Sequence, residues 1–269
     1  MSFDPSTSRR TAEPALFVPL ILLVLIGLML ALHAFRVLAL GLFEDADVRL
    51  LDWTAFVPAR FSISVGLTSG DAVLAEIVAS NPEMQGLRLL LFKAFVADGD
   101  AKPWTLLSYA LLHANWEHVI FNCLWMLVFG SPVVQRFGGW RFLAFFMVTA
   151  LCGAVFHALF NTTDVAVLVG ASGAVSGLTA GVLRFGVGPQ GFGAGREAWF
   201  KPAAPLLQAL QNRQVLVFIA IWFGVNFLAG LGVPVGGSAD LRIAWEAHVG
   251  GFLAGLLLFS WFDPIRENA

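Results

Sequence analysis

Four residues in this chain pair reactive chemistry with telling spacing. Ser172 lies in Gly170-Ala171-Ser172-Gly173-Ala174, at the head of an apolar segment, and His248 interrupts a later one. A hydroxyl and an imidazole in such segments are expensive in lipid, so by default they point to function. A serine becomes a nucleophile when a base lies within hydrogen-bond reach, and histidine is the usual base. His118 and Asn122 stand at i and i+4, on one helical face. Their imidazole and carboxamide N–H groups are suitable donors to an oxyanion, the species formed in peptide-bond cleavage. The backbone N–H of Ser172 is another such donor, because a helix start leaves N–H groups unpaired at its positive dipole end.

Each residue alone has a plainer reading. Ser172 also fits an N-cap, His248 a histidine bonded to a backbone carbonyl, and Asn122 interhelical polar glue. The serine is not in a GxSxG elbow, since residue 174 is Ala. Metal chemistry is a poor match. His113 and His118 are five apart, on different helical faces, and Glu117-His118 does not begin an HExxH motif. Glu246 is two residues from His248 on another face, and Asp164 and Asp240 fall in outer loops. The residues therefore predict a Ser172–His248 dyad with no third acid and no metal. His33 and His157 have no visible partners and read as structural.

Elements must hold these groups. The chain has 269 residues, of which 58% are hydrophobic and 13% charged. Soluble domains carry about 25% charged residues, so the composition predicts an integral membrane protein within a lipid bilayer. A net charge of -2 gives no case for nucleic-acid binding. Cys123 and Cys152 lie in apolar runs and read as small core residues. Apolar segments near the helix-spanning length of roughly 20 residues predict an all-α fold of six spans. They run over Ala15–Leu40, Ala114–Val134, Trp140–Phe160, Ser172–Val187, Val215–Leu231 and Ala244–Phe262.

The first span is too long for a signal h-region, so Arg9-Arg10 is not read as a twin-arginine signal. The fourth is short, broken by Gly188-Pro189, and its sunken start implies a hydrated or protein-lined pit. Gly173, Gly177 and Gly181 on the fourth span, and Gly251 and Gly255 on the sixth, form small stripes that could bring His248 to Ser172. Residues 41–103 form a long outer loop with nine acidic residues, expected to be partly helical and to dip into the interface.

Lys and Arg in the short loops set the orientation. Arg9, Arg10, Arg136, Arg141, Arg184, Arg196, Lys201, Arg213 and Arg266 share one side, and Arg242 alone marks the other. Both termini are therefore expected in the cytoplasm. A flexible terminus (1–13) precedes the membrane domain (14–262), and a tail (263–269) follows it.

With His118-xxx-Asn122, Gly170-Ala-Ser172-Gly173 and His248 with Gly251 and Gly255 in order and register, the chain resembles the rhomboid intramembrane serine proteases across residues 50–262. The resemblance implies a six-helix core and cofactor-free hydrolysis of transmembrane protein substrates. In it Ser172 is the nucleophile and His248 the base and later acid. His118, Asn122 and the Ser172 N–H form the oxyanion hole. It further implies a flexible cap at 232–243 and a lateral gate at the fifth span, in a bacterial inner membrane.

Three features depart from the family pattern. Ser176 stands where an aromatic is common, and Pro132-Val-Val-Gln-Arg-Phe-Gly138 lacks the usual acid in the loop after the second span. The long loop has Phe56-Val-Pro-Ala-Arg60 in place of a Trp-Arg pair. Two rival readings are a rhomboid-like pseudoprotease that binds membrane clients without cleaving them, and a small transporter.

Overall fold

The computed structural model describes residues 18–38, 45–188, 191–192, 200–233 and 243–265. The expectations for the polar N-terminus, for Arg9, Arg10, Arg196, Arg242 and Arg266, and for most of the 232–243 loop lie outside them.

The chain is predominantly helical. Helix α1 (Leu20–Leu38) starts just after Pro19, whose carbonyl accepts from the Leu22 and Leu23 amides. Four helices, α2 (Ala46–Thr54), α3 (Pro58–Ser64), α4 (Gly70–Ala79) and α5 (Pro82–Phe95), occupy the acidic stretch that follows. Short α6 (Thr105–Ser108) and a 3-10 turn at Tyr109–Leu111 lead to α7 (Trp116–Trp125). A π turn at Met126–Gly130 joins α7 to α8 (Ser131–Phe137), and α9 (Gly139–Phe160) follows. Then come α10 (Ser172–Phe185), a two-residue antiparallel pair β1 (Val187–Gly188) and β2 (Gly191–Phe192), α11 (Leu206–Gln211), α12 (Arg213–Gly230) and α13 (Trp245–Phe262).

Among the described residues, four helices are long and apolar enough to cross a membrane: Leu20–Leu38, Trp116–Phe137, Gly139–Phe160 and Arg213–Gly230. The other two expected spans correspond to α10, with 14 residues, and α13, with 18. Residues 135–137, beyond the expected end of the second span, are also helix. The π turn carries the second segment onward, and Pro132, at the start of α8, needs no amide partner in that first turn. The segment stops at Gly138, whose φ of 75° breaks the helix.

Helix α10 is the centre of the molecule. Every residue from Gly173 to Phe185 is buried. Lipid tails give apolar helices little reason to associate, so close packing of small residues does that work. A side chain at Gly251 would strike the Gly173 carbonyl, and one at Gly255 would strike the Gly177 carbonyl. On the α9 side Gly177 faces Thr149, and a methyl on Gly153 would lie 2.7 Å from the Ala247 carbonyl oxygen. The two glycine stripes do meet, except at Gly181, which packs on the Phe145 ring.

The end of this bundle away from Ser172 is pinned by charge. Arg136 makes a two-pronged pair with Asp263 at 2.8 and 2.7 Å, fully buried, with its guanidinium over the Phe185 ring. Arg184 donates to the Leu256 carbonyl at 2.9 Å. A guanidinium can be buried in this way because its planar fork satisfies several acceptors at once.

The outer segment has its own anchor. Lys102 donates to both Asp52 oxygens at 2.7 Å and to Asp98 at 2.6 Å. Buried Arg60 donates to Asp52 and to the Ala55 and Phe95 carbonyls. Burial is the largest single influence on the Asp98 carboxyl and raises it, but the Lys102 bond, the Asp100 amide and the charges of Lys102 and Arg60 together hold it below the usual range. Burial alone would lower the Lys102 ammonium, but its bonds to Asp52 and Asp98 hold it above the usual range.

The Asp98 contribution to stability is therefore present above the unfolded value near about 3.9, and is lost as pH falls through the lower folded value. The Lys102 contribution is present below about 10.4 and lost as pH rises through its higher folded value. The cluster should hold through neutral pH and loosen in acid below about pH 4. The check is hydrogen exchange at the Ala55 and Phe56 amides, which bond to the Leu51 and Leu168 carbonyls. Their protection, corrected for intrinsic rate, should fall in that acid window, and Asp98→Asn should blunt the change. Protection that stays flat into acid would refute this role for the cluster.

Candidate functional site

The approach to Ser172 is built from backbone. Gly170 has φ 122°, a conformation that favours glycine, and its amide donates to the Tyr109 carbonyl at 3.0 Å. A methyl there would also lie 2.6 Å from Cε1 of His118. Ala171 takes the cap position of α10 and makes no side-chain cap bond. Its amide points at Nε2 of buried His113, at a long 3.5 Å. Ser172 is thus the first helical residue and not the N-cap. Its hydroxyl is left for another partner.

That partner is His248, whose Nε2 lies 2.7 Å from Ser172 Oγ. The two residues are 76 apart in sequence. The seam that brings them together is the contact of Gly251, one turn beyond His248, with Gly173, the residue after Ser172. Both side chains are half-buried. The other ring nitrogen, Nδ1, meets Oδ1 of Asn226 on α12 at 2.5 Å.

His118 is fixed at the start of α7, where its amide caps onto the Asn115 side chain at 2.8 Å. Its ring borders Gly170, two residues before Ser172. Edge-on to it is His113, with ring centroids 5.1 Å apart. Asn122 is buried one turn further along and donates to the His118 carbonyl at 2.9 Å. A carboxamide carries two N–H donors, so one remains for a further acceptor. The structure thus brings Ser172 and His248 into direct contact and sets His118 against Gly170, while Asn122 is bonded to His118 and not to the serine.

Some residues land elsewhere. Glu246 pairs with His157 at 3.2 Å, and His157 also meets Asn161. His33 packs edge-on to Trp116 at 4.7 Å. Ser176 turns its hydroxyl back onto the Ser172 carbonyl at 2.7 Å. Among the described residues, no group of three or more His, Cys, Asp or Glu is placed to hold a metal ion.

Two residues at the site were missed from sequence. Asn226 carried a readable signal, since it is a polar residue inside an apolar span, the criterion that picked out Ser172 and His248. His113 was weighed only as a metal ligand. Its place behind the Ser172 loop depends on a fold in the chain that spacing does not encode.

The arrangement has the groups that acyl transfer requires. A hydroxyl faces an imidazole lone pair or N–H, and a helix start with a nearby imidazole can receive negative charge.

Comparison with known proteins agrees in direction. A family model described as the rhomboid domain matches residues 100–262, more than half of the chain. The rhomboid protease GlpG of Serratia proteamaculans is 27% identical over 166 residues, covering 61% of this chain and 50% of that protein. The rhomboid protease AarA of Providencia stuartii is 26% identical over 226 residues, 74% of each. Rhomboid-related protein 2 of Mus musculus is 26% identical over 166 residues, 60% of this chain and 50% of that protein. The chain spans half the length of the first and third of these relatives.

Proposed function

The chain belongs to the rhomboid family, and we propose that it is an intramembrane serine endopeptidase that cleaves transmembrane segments of membrane proteins. It is an integral membrane protein, with apolar helices of spanning length. The observation that carries the proposal is the 2.7 Å contact between Ser172 Oγ and His248 Nε2 at the start of a buried helix.

In this reading His248 Nε2 takes the hydroxyl proton as Ser172 Oγ adds to the scissile carbonyl carbon. The resulting oxyanion is received by the Ser172 N–H, the His118 imidazole and the second N–H of Asn122. The tetrahedral intermediate collapses with loss of the C–N bond, and the proton on Nε2 passes to the leaving amine. Water then attacks the acyl-serine, giving its proton to Nε2, and the serine is released. No cofactor or metal enters the scheme.

The proposal extends to architecture. All six helical segments cross a bacterial inner membrane, α10 and α13 included, as one domain over 14–262. Both termini lie in the cytoplasm, and the acidic segment lies outside. α10 is shorter than a bilayer is thick, which suits a nucleophile set below the outer surface.

The direct experiment is labelling of the purified protein by a fluorophosphonate, together with cleavage of a transmembrane reporter. Wild type should label at Ser172 and cut the reporter, and Ser172→Ala should do neither. A folded wild type that fails to label would favour a client-binding, non-cleaving member. Reporter cleavage that persists in Ser172→Ala would sink the mechanism.

A further inference from the structure

Asn226 stands alone as a polar side chain between Val215 and Ala229 on α12, in a stretch otherwise of apolar and glycine residues. A carboxamide in such a helix is costly unless its hydrogen bonds are met. Both ends of it are met here. Nδ2 donates to the Trp222 carbonyl at 2.7 Å, one turn back on the same helix. Oδ1 faces His248 Nδ1 at 2.5 Å.

These two contacts fix the proton on the ring. The Trp222 carbonyl can only accept, so the amide nitrogen must face it, and flipping the amide would set oxygen against oxygen. Oδ1 therefore faces the imidazole, and it too can only accept. Nδ1 must then carry the hydrogen. In the neutral ring that leaves Nε2 with its lone pair, 2.7 Å from Ser172 Oγ. The opposite tautomer would place an N–H against the serine and a lone pair against Oδ1.

The helix that supplies this oxygen is the least enclosed of those around the site. Only Val215 and Ala229 of α12 are buried. It is held to α13 by rings on either side of Asn226: Trp222 stacks on Phe252 at 4.5 Å, and Phe227 meets the Trp245 edge at 5.5 Å. We infer that Asn226 is a positioning residue for His248: it holds the imidazole as the Nδ1–H tautomer and makes the lone pair offered to Ser172 depend on the seating of α12. The role in cleavage rests on the proposed function above, whereas the tautomer does not.

The full chain in detergent or liposomes, as wild type, Asn226→Leu, Asn226→Ala and Asn226→Asp, supplies the test. Three readouts are needed: the fluorophosphonate labelling rate of Ser172, kcat and KM on the reporter, and the imidazole 15N shifts of His248. Asn226→Leu should slow labelling and kcat by about 10–100-fold with KM little changed. That is less than the roughly 10⁴-fold lost when a triad carboxylate becomes an amide, because here a neutral group orients the ring without adding charge. Its 15N shifts should move toward mixed tautomers. Asn226→Asp keeps an acceptor for Nδ1–H and should recover most of the rate, well above Asn226→Ala.

Trp222→Ala should slow labelling in wild type and add little in the Asn226→Leu background. Unchanged labelling and unchanged 15N shifts in Asn226→Leu would overturn the proposal, as would a rise in KM with kcat intact. Full additivity of Trp222→Ala and Asn226→Leu would overturn the link to α12. Should Asn226→Leu fail to fold, the ordering of the Asp and Ala variants decides. A wild type that neither labels nor cleaves would defeat the protease reading, and the 15N shifts would still decide the tautomer.

Discussion

His248→Ala reduces reporter cleavage as far as Ser172→Ala does, and the double variant loses no more than either alone. This follows if hydroxyl and imidazole act as one unit through the 2.7 Å contact. Removing either partner removes the same proton transfer, so the costs do not add. The loss should be on the order of 10⁴-fold or more in kcat. The measurement is single-turnover cleavage with enzyme in excess, which separates chemistry from product release. Additive losses would show two independent contributions and would break the dyad. His118→Ala is the useful contrast: it should lower kcat while leaving some Ser172 labelling, because it removes an oxyanion donor and not the base.

The second large effect comes from a single carbon. Gly251→Ala places a methyl onto the Gly173 carbonyl, and Gly255→Ala does so at Gly177. In each case the obstacle is backbone, so no rotamer change can relieve it. The helices must part. Overpacking of this kind costs about 1–3 kcal/mol, and the larger consequence is geometric. Gly251 lies one turn from His248 and Gly173 is next to Ser172, so the separation falls on the reacting pair. A displacement of about 1 Å can lower a rate on the order of 10²-fold. Gly251→Ala should therefore cut the labelling rate more than Gly255→Ala, and both more than Gly27→Ala, where a methyl meets nothing. Equal labelling in all three would mean that the seam does not set the distance.

The glycine seam was legible in the sequence because it obeys helical spacing: Gly173 and Gly177, and Gly251 and Gly255, repeat every four residues. The short fourth segment was legible from Gly188-Pro189, though the helix ends at Phe185, before β1. Other features are long-range. That Ala171 takes the cap position and leaves the Ser172 hydroxyl uncommitted depends on the backbone of the approach and cannot be read from residue types. The π turn at Met126–Gly130 is likewise set by packing, with a Cβ on Gly130 falling 3.0 Å from Leu22 and 3.6 Å from Leu178. The Arg60–Lys102 cluster joins residues up to 50 apart, and no local pattern announces it. Asn226 differs from these. It is visible as a polar interruption of an apolar span, but spacing alone does not place it beside His248, 22 residues away.

The 76-residue separation of Ser172 and His248 also has a consequence in time. A ribosome delivers Ser172 well before it delivers His248 and Asn226. If Ser172 and His248 act as a dyad, the hydroxyl has no base until α13 docks. The Arg136–Asp263 pair, 127 residues apart, also waits for the end of α13. Under the dyad reading, assembly and activation are one event.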